Sequence, residues 1–171
     1  MTRGNSAAGD RLTDVLAGAS ADLLAYCRRR AAPEDAADLL AETMVTAWRR
    51  VELLPSDPEQ ARMWLFGIAR NMLLNADRAD RRRSRLADRM RSLLTTDAQM
   101  SAPPADAGSE VLDAIARLEP ELAELVRLVH WDGFSLAQAA ELTGIPAPTA
   151  RGRYHRAKEA LRAALGVTVH D

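Results

Sequence analysis

Between Ala61 and Arg91, nine arginines stand against three acids, Asp77, Asp80 and Asp88, a balance of plus six. Within the same stretch Trp64, Gly67, Asn71, Asn75 and Arg78 recur three or four residues apart and so share one stripe of a helix. An indole can stack on an unpaired base, side-chain amides can read base edges, and a glycine leaves room for close approach. The arginines suit a phosphate backbone. The same residues are also compatible with a solvated arginine face and a Trp half-buried beside a core, so the stripe alone leaves both readings open.

A second basic concentration lies from Ala147 to Gly166, where four Arg and Lys158 face Glu159. It follows a short helical pattern, Leu136 to Leu142, and a tight turn, Thr143-Gly144-Ile145. A short helix, a Gly-containing turn and a basic helix make a helix-turn-helix, whose second helix enters the major groove. Thr149, Arg151, Gly152, Arg153, His155 and Arg156 are then the candidates for base and phosphate contact, with a plain helical hairpin as the alternative. A third group is acidic. Asp35, Asp38 and Glu42 fall on one side of a helix, where they are either solvated or dock a basic partner.

Other chemistry has little to work with. Cys27 is the sole cysteine, so no disulfide can form within the chain, which fits a reducing compartment. His130, His155 and His170 have no metal-ligand spacing with one another or with Cys27. No nucleophile–base pair is visible, so an enzyme is not expected, and neither is a metal or cofactor. The N-terminus has no signal-peptide pattern, and no run approaches the roughly 18 apolar residues of a spanning helix. A cytoplasmic protein without membrane insertion is expected.

These groups must be held by helices. Of 171 residues 47% are hydrophobic but only 4% aromatic, and Ala, Leu and Arg, all good helix formers, dominate. Net charge is only −1, because the charge is segregated. Ala31 to Gln60 holds seven acids and two Arg, and Glu110 to Leu142 again seven and two. Acidic and basic blocks alternate, which points to two kinds of partner surface.

Met1 to Gly9 reads as a frayed tail. A first helix spans Asp10 to Arg30 with Leu12, Leu16, Leu23, Leu24 and Cys27 inward. Pro33 starts a second, Glu34 to Arg50, with Ala37, Leu40, Met44, Ala47 and Trp48 toward the core. Val51 to Ser56 is a short loop. Asp57 as N-cap, Pro58 at the first position and Gln60 in the capping-box place open a long helix, whose core face is Ala61, Leu65, Ile68, Ala69, Met72 and Ala76. From Ser92 a Pro pair and small residues with no period predict a flexible linker to about Gly108. Ser109 starts a helix with Val111, Leu112, Ile115 and Leu118 inward. Pro120 starts another, with Leu122, Leu125, Val126 and Val129 inward, stopped by Asp132-Gly133. Ser135 and Gln138 form a capping-box pair for the short helix. The last helix buries Ala150, Tyr154, Ala157, Leu161 and Leu165. The fold class is therefore all-α: two small helical domains, 10–91 and 109–166, joined by a linker over 92–108.

In this order the motifs resemble those of extracytoplasmic-function sigma factors of bacterial RNA polymerase. D-A-A-D-L-L-A-E-T-M-V-T-A-W-R-R, Asp35 to Arg50, is similar to that family's polymerase-docking helix. W-L-F-G-I-A-R-N, Trp64 to Asn71, is similar to its promoter-melting helix. The run from Leu118 through G-F-S-L-A-Q-A-A-E-L-T-G-I to R-G-R-Y-H-R-A is similar to its helix-turn-helix. The first domain would then be a sigma region 2-like bundle and the second a region 4-like helix-turn-helix. The resemblance implies core RNA polymerase and promoter DNA as partners, with an anti-sigma factor as regulator. Asp35, Asp38 and Glu42 would face the polymerase clamp, and Val51 to Ser56 would line a pocket for a flipped base. Trp64, Asn71 and Asn75 would serve melting, and Arg78, Arg81, Arg82 and Arg83 would hold the backbone. Thr149, Arg151, Gly152, Arg153, His155 and Arg156 would meet the upstream element. The chain departs from the family at Gly67, which often is basic there, and at Pro146 and Pro148, where small polar residues are usual. Without the resemblance, the residues also fit a stand-alone helix-turn-helix regulator or a helical protein-binding adaptor. The former leaves the acidic helix and the Trp64–Asn71 stripe unexplained, and the latter leaves both basic helices idle.

Overall fold

The structure, a computed structural model, describes residues 3–92 and 109–166. The expected linker lies outside the described residues but for Ser92, which ends a helix. Every regular element among them is helical: α1 Arg3–Arg28, α2 Pro33–Arg49, a 3-10 turn Val51–Leu53, α3 Pro58–Ser92, α4 Ser109–Ala116, α5 Pro120–His130, α6 Leu136–Thr143 and α7 Ala147–Leu165. The chain divides into two compact units, the first built on α1 to α3 and the second on α4 to α7.

In the first unit α1, α2 and α3 pack on one another pairwise. Leu12, Leu23, Cys27, Leu65 and Phe66 are almost wholly buried, and each such Leu or Phe contributes about 1.5–3 kcal/mol relative to exposure. Tyr26 and Phe66 meet edge to face at 5.2 Å between centroids, and Arg30 lies 3.8 Å over the Tyr26 ring. α3 starts as its sequence dictates: the Asp57 carboxylate accepts from the Gln60 backbone N–H at 2.9 Å, with Pro58 at the first position, where no N–H is needed.

Three sequence expectations change here. The N-terminal tail does not extend to Gly9, because α1 is already helical from Arg3. The Trp48 ring of α2 lies so close over Gly9 that a Cβ there would sit 3.3 Å from it. Secondly, α2 buries Ala36, Leu39, Thr43 and Ala47. Ala37 is exposed, Leu40 and Met44 are partly buried, and Trp48 keeps 47% of its exposure. The inward face is thus turned by about one residue, or roughly 100°, since it has to serve α1 and α3 together. Thr43 is tolerated there because its hydroxyl donates to the Leu39 carbonyl at 2.7 Å. Thirdly, the loop after α2 begins as one 3-10 turn. Leu54 is buried behind it, and Arg11 donates to the Pro55 carbonyl at 2.6 Å. On α3, Ala61, Leu65, Ile68 and Ala69 are buried as expected, together with Met63 and Phe66, while Met72 is partly buried and Ala76 exposed.

In the second unit Ile115, Leu122, Ala123, Val126 and Ala157 form the core, with Leu118, Tyr154 and Leu161 against it. Val111 and Leu112 remain exposed although expected inward. α4 has only eight residues, and Ala114 and Ile115 occupy its buried side. After α5 the chain turns at Gly133, φ 71°, and the Phe134 N–H donates back to the Leu128 carbonyl at 3.0 Å. The capping box of α6 is complete: Gln138 N–H donates to Ser135 Oγ at 3.2 Å, and Ser135 N–H to Gln138 Oε1 at 2.8 Å. α6 ends at Gly144, φ 69°, where the Ile145 N–H donates to the Ala140 carbonyl at 3.0 Å, the bond pattern of a left-handed helix stop. Both ends of the short helix are thereby fixed, which sets where α7 begins.

Candidate nucleic-acid interface

α3 has two unlike ends. Its first three turns are locked into the first unit, whereas most side chains from Asn71 to Met90 are exposed or half-exposed. Trp64 and Gly67 are half-buried at the rim of the core, and Asn71, Asn75 and Arg78 are exposed. The expected stripe therefore lies on the open flank of one continuous helix. Trp64 and Asn71 are about 10 Å apart along its axis, from the helical rise over seven residues.

The arginines beyond the stripe differ in how they are held. Arg81 pairs with Asp77 at 2.8 Å and Arg83 with Asp80, both on the same helix. Arg82 donates to the Arg78 carbonyl at 3.3 Å. All four side chains stay at the surface. Such pairs within one helix are weak, roughly 0.3–0.5 kcal/mol, so they pre-position Arg81 and Arg83 without sequestering them from a phosphate. Arg82, Arg85, Leu86 and Arg89 line a hollow of about 500 Å³. Arg85 and Arg89 were not among the expected contacts, although their spacing from Arg82 already placed them on its side of the helix.

The acidic face of α2 opens on a groove. Asp35, Asp38 and Glu42 are exposed and line a hollow of about 440 Å³ together with Asp77, Asp80 and Arg83 of α3. The two α3 acids were read from sequence only as diluting an arginine run. In the fold they stand beside the acids of α2 in one groove, paired there with Arg81 and Arg83, and Arg30 also lines it.

In the second unit α7 buries Ala150 and Ala157 and turns Thr149, Arg151, Gly152, His155 and Arg156 outward. Pro146 caps the helix and Pro148 stands in its first turn, where the lack of an N–H costs nothing. Arg153 is held differently from its neighbours on α7. Its guanidinium is turned onto α5 and pairs with Glu121 at 2.7 Å, so it joins two helices of the unit rather than the outward face. Next to it, Tyr154 also meets α5: it stacks on His130 and shares a 2.7 Å hydrogen bond between its hydroxyl and His130 Nε2. Cys27 lies away from all of this in the first core, its thiol pushed up from its ordinary pKa by burial and only partly held down by Arg30. Among the described residues there is no group of three His, Cys, Asp or Glu side chains placed to hold a metal ion, and no helix long and apolar enough to cross a membrane.

A bundle bearing an aromatic–amide stripe and a separate helix-turn-helix define a class of transcription protein. Residues 20–83 match sigma-70 region 2, and residues 109–161 match sigma-70 region 4. The chain is 34% identical over 145 residues to the ECF RNA polymerase sigma factor SigL of Mycobacterium tuberculosis, covering 78% of this chain and 77% of that one. Among solved structures it is similar to the sigma factor RpoE of Bartonella quintana, in a complex with the anti-sigma factor NepR. The TM-score is 0.61 at 24% identity, covering 94% of this chain and 98% of that one. It is also similar in fold to CnrH in a complex with the cytosolic domain of CnrY, with TM-score 0.64 at 21% identity and 95% and 94% coverage. The chain belongs to the extracytoplasmic-function group of sigma-70 family sigma factors. It directs RNA polymerase to promoters as a non-catalytic subunit, with core polymerase and promoter DNA as its partners.

Proposed function

We propose that the two units divide promoter work between them. Domain 10–91 docks on polymerase and opens the duplex, domain 109–166 anchors on the upstream element, and 92–108 tethers them. The observation that carries this reading is the asymmetry of α3. Leu65, Ile68 and Ala69 fix one face in the core, while Asn71, Asn75 and Arg78 stand free beside the half-buried Trp64. A rigid helix thus presents an aromatic and amides to a base leaving the stack. Arg78, Arg81, Arg82 and Arg83 hold the backbone of the opening strand. The segment Val51 to Ser56, braced by Leu54 and Arg11, borders the pocket for a flipped base. Asp35, Asp38 and Glu42, with the groove they line, take the polymerase clamp. Thr149, Arg151, Gly152, His155 and Arg156 read and hold the upstream element, and Arg153 supports α7 through Glu121.

The protein acts where polymerase acts, in the cytoplasm. Two similar folds were solved with a partner, an anti-sigma factor in one case; we propose that an anti-sigma factor also holds this chain in check. The division of labour is tested with holoenzyme on a closed promoter and on one with a pre-opened bubble. Trp64→Ala and Asn71→Ala should reduce strand opening, since base–aromatic stacking is worth roughly 1–3 kcal/mol, and the bubble should rescue both. Arg156→Ala should weaken recruitment and stay weak on the bubble. Circular dichroism must show the Trp64 variant folded, because the ring is half-buried. Equal rescue of all three variants, or of none, refutes the division.

A further inference from the structure

Gly152 has no folding reason to be glycine. Gly133, Gly144 and Gly166 have positive φ, a backbone state that favours glycine, and Gly9 lies under the Trp48 ring. Gly152 has neither constraint. It sits inside α7 without positive φ, and a Cβ built on it meets nothing within 4 Å. Glycine is the poorest helix former after proline, so α7 would be more stable with Ala there. Its surroundings are informative. Thr149 lies one turn before it, and His155 and Arg156 one turn after, all exposed on the same face. Side chains rise on both sides of a bare stretch of backbone, and the helix surface has a notch in the middle of its basic face. Gly18 and Gly67 also meet nothing within 4 Å at a Cβ, but Gly18 has no basic face around it and Gly67 is half-buried at the rim of the first core.

In the major groove, hydrogen-bonding groups meet the polar side chains of a helix. The one apolar group that projects from a base pair is the thymine 5-methyl. A notch without side-chain polar atoms leaves room for that group against the bare backbone. We propose that Gly152 is a specificity-determining residue, whose missing side chain seats a thymine methyl of the upstream element between Thr149 and Arg156. This rests on α7 being the helix that reads DNA. Gly152→Ala would put a methyl where the thymine methyl belongs, and the preference for that thymine would be lost.

The test uses holoenzyme assembled from core polymerase and the full chain, selecting from promoters randomised in the upstream element. Gly152→Ala, Arg156→Ala and Gly18→Ala are compared with the parent. The parent should prefer thymine at one base pair, and Gly152→Ala should lose that preference by about four-fold, one buried methyl at about 0.8 kcal/mol. Gly18→Ala should keep the parental profile. Replacing the chosen thymine by uracil should weaken the parent by a similar factor and leave Gly152→Ala unaffected. Both glycine variants should melt no lower than the parent. If Arg156→Ala alters the profile while Gly152→Ala does not, or alters it at a pair without thymine, the role of Gly152 is overturned and α7 remains the reading helix. If neither variant alters the profile, α7 is not the reading helix and the inference falls with it.

Discussion

Arg153 stands in the sequence among the residues proposed to face DNA, yet its guanidinium is 2.7 Å from Glu121 of α5. Replacing it by Ala separates two roles that charge alone confuses. The Arg153 side chain keeps 26% of its exposure and Glu121 keeps 65%, so water screens the acid strongly and the full Coulomb energy is not realised. Such a pair is worth about 0.5–1 kcal/mol. That converts to a two- to five-fold loss of protection, at tenfold per 1.4 kcal/mol. Hydrogen exchange of α5 and α7 amides in the full chain reads this locally. Arg153→Ala and Glu121→Ala should each cause the loss, and the double variant should lose little more than either. DNA binding supplies the second measurement. Removing a phosphate contact lowers the salt slope of log affinity by about one. Arg153→Ala should leave that slope unchanged, whereas Arg151→Ala and Arg156→Ala change affinity or slope directly. A slope reduced by about one in Arg153→Ala, with protection intact, would show that Arg153 contacts DNA and that the Glu121 pair is incidental.

Three further outcomes are expected. Reversing Asp38 and Glu42 to Lys should weaken core-polymerase affinity without unfolding α2, as both are outward; unchanged capture in a pull-down counts against this docking face. Ser135→Ala removes half of the capping box and should cost about 1 kcal/mol, seen as faster amide exchange in α6 and weaker upstream-element binding, whereas exchange at the parental rate would deny the cap its role. Cys27 should resist alkylation in the folded chain and react freely in urea. Because burial raises its folded pKa, the neutral thiol is favoured in the native state. Stability from this group is complete below the unfolded pKa of about 8.5 and falls as pH rises through the folded value. A Cys27→Ser variant with the same alkaline loss would assign it to another group.

The features legible in sequence are those closed within one or two turns of chain. Asp57 caps α3 three residues away, Ser135 and Gln138 cap α6, Gly144 stops α6, and Gly133 turns the chain after α5. Each is a bond between near neighbours, so residue type and spacing suffice. The family motifs were legible for the same reason, since each lies on one helix or one helix-turn-helix. The inward face of α2 was not. In an alanine-rich helix, Ala36 and Ala37 are the same residue, and only packing against both α1 and α3 chooses between them. Residues far apart in the chain decided the rest. Trp48 folds over Gly9 in the first turns of α1, and Arg11 reaches Pro55 across 44 residues to brace the segment before α3. Asp77 and Asp80 join the acids of α2 in one groove, and Glu121 draws Arg153 away from the outward face of α7. Sequence alone determined which helices exist, how they are capped and which carry the charge. The tertiary structure decided which charges remain free to meet polymerase and DNA, because an ion pair or a groove depends on distances that close only when the helices pack.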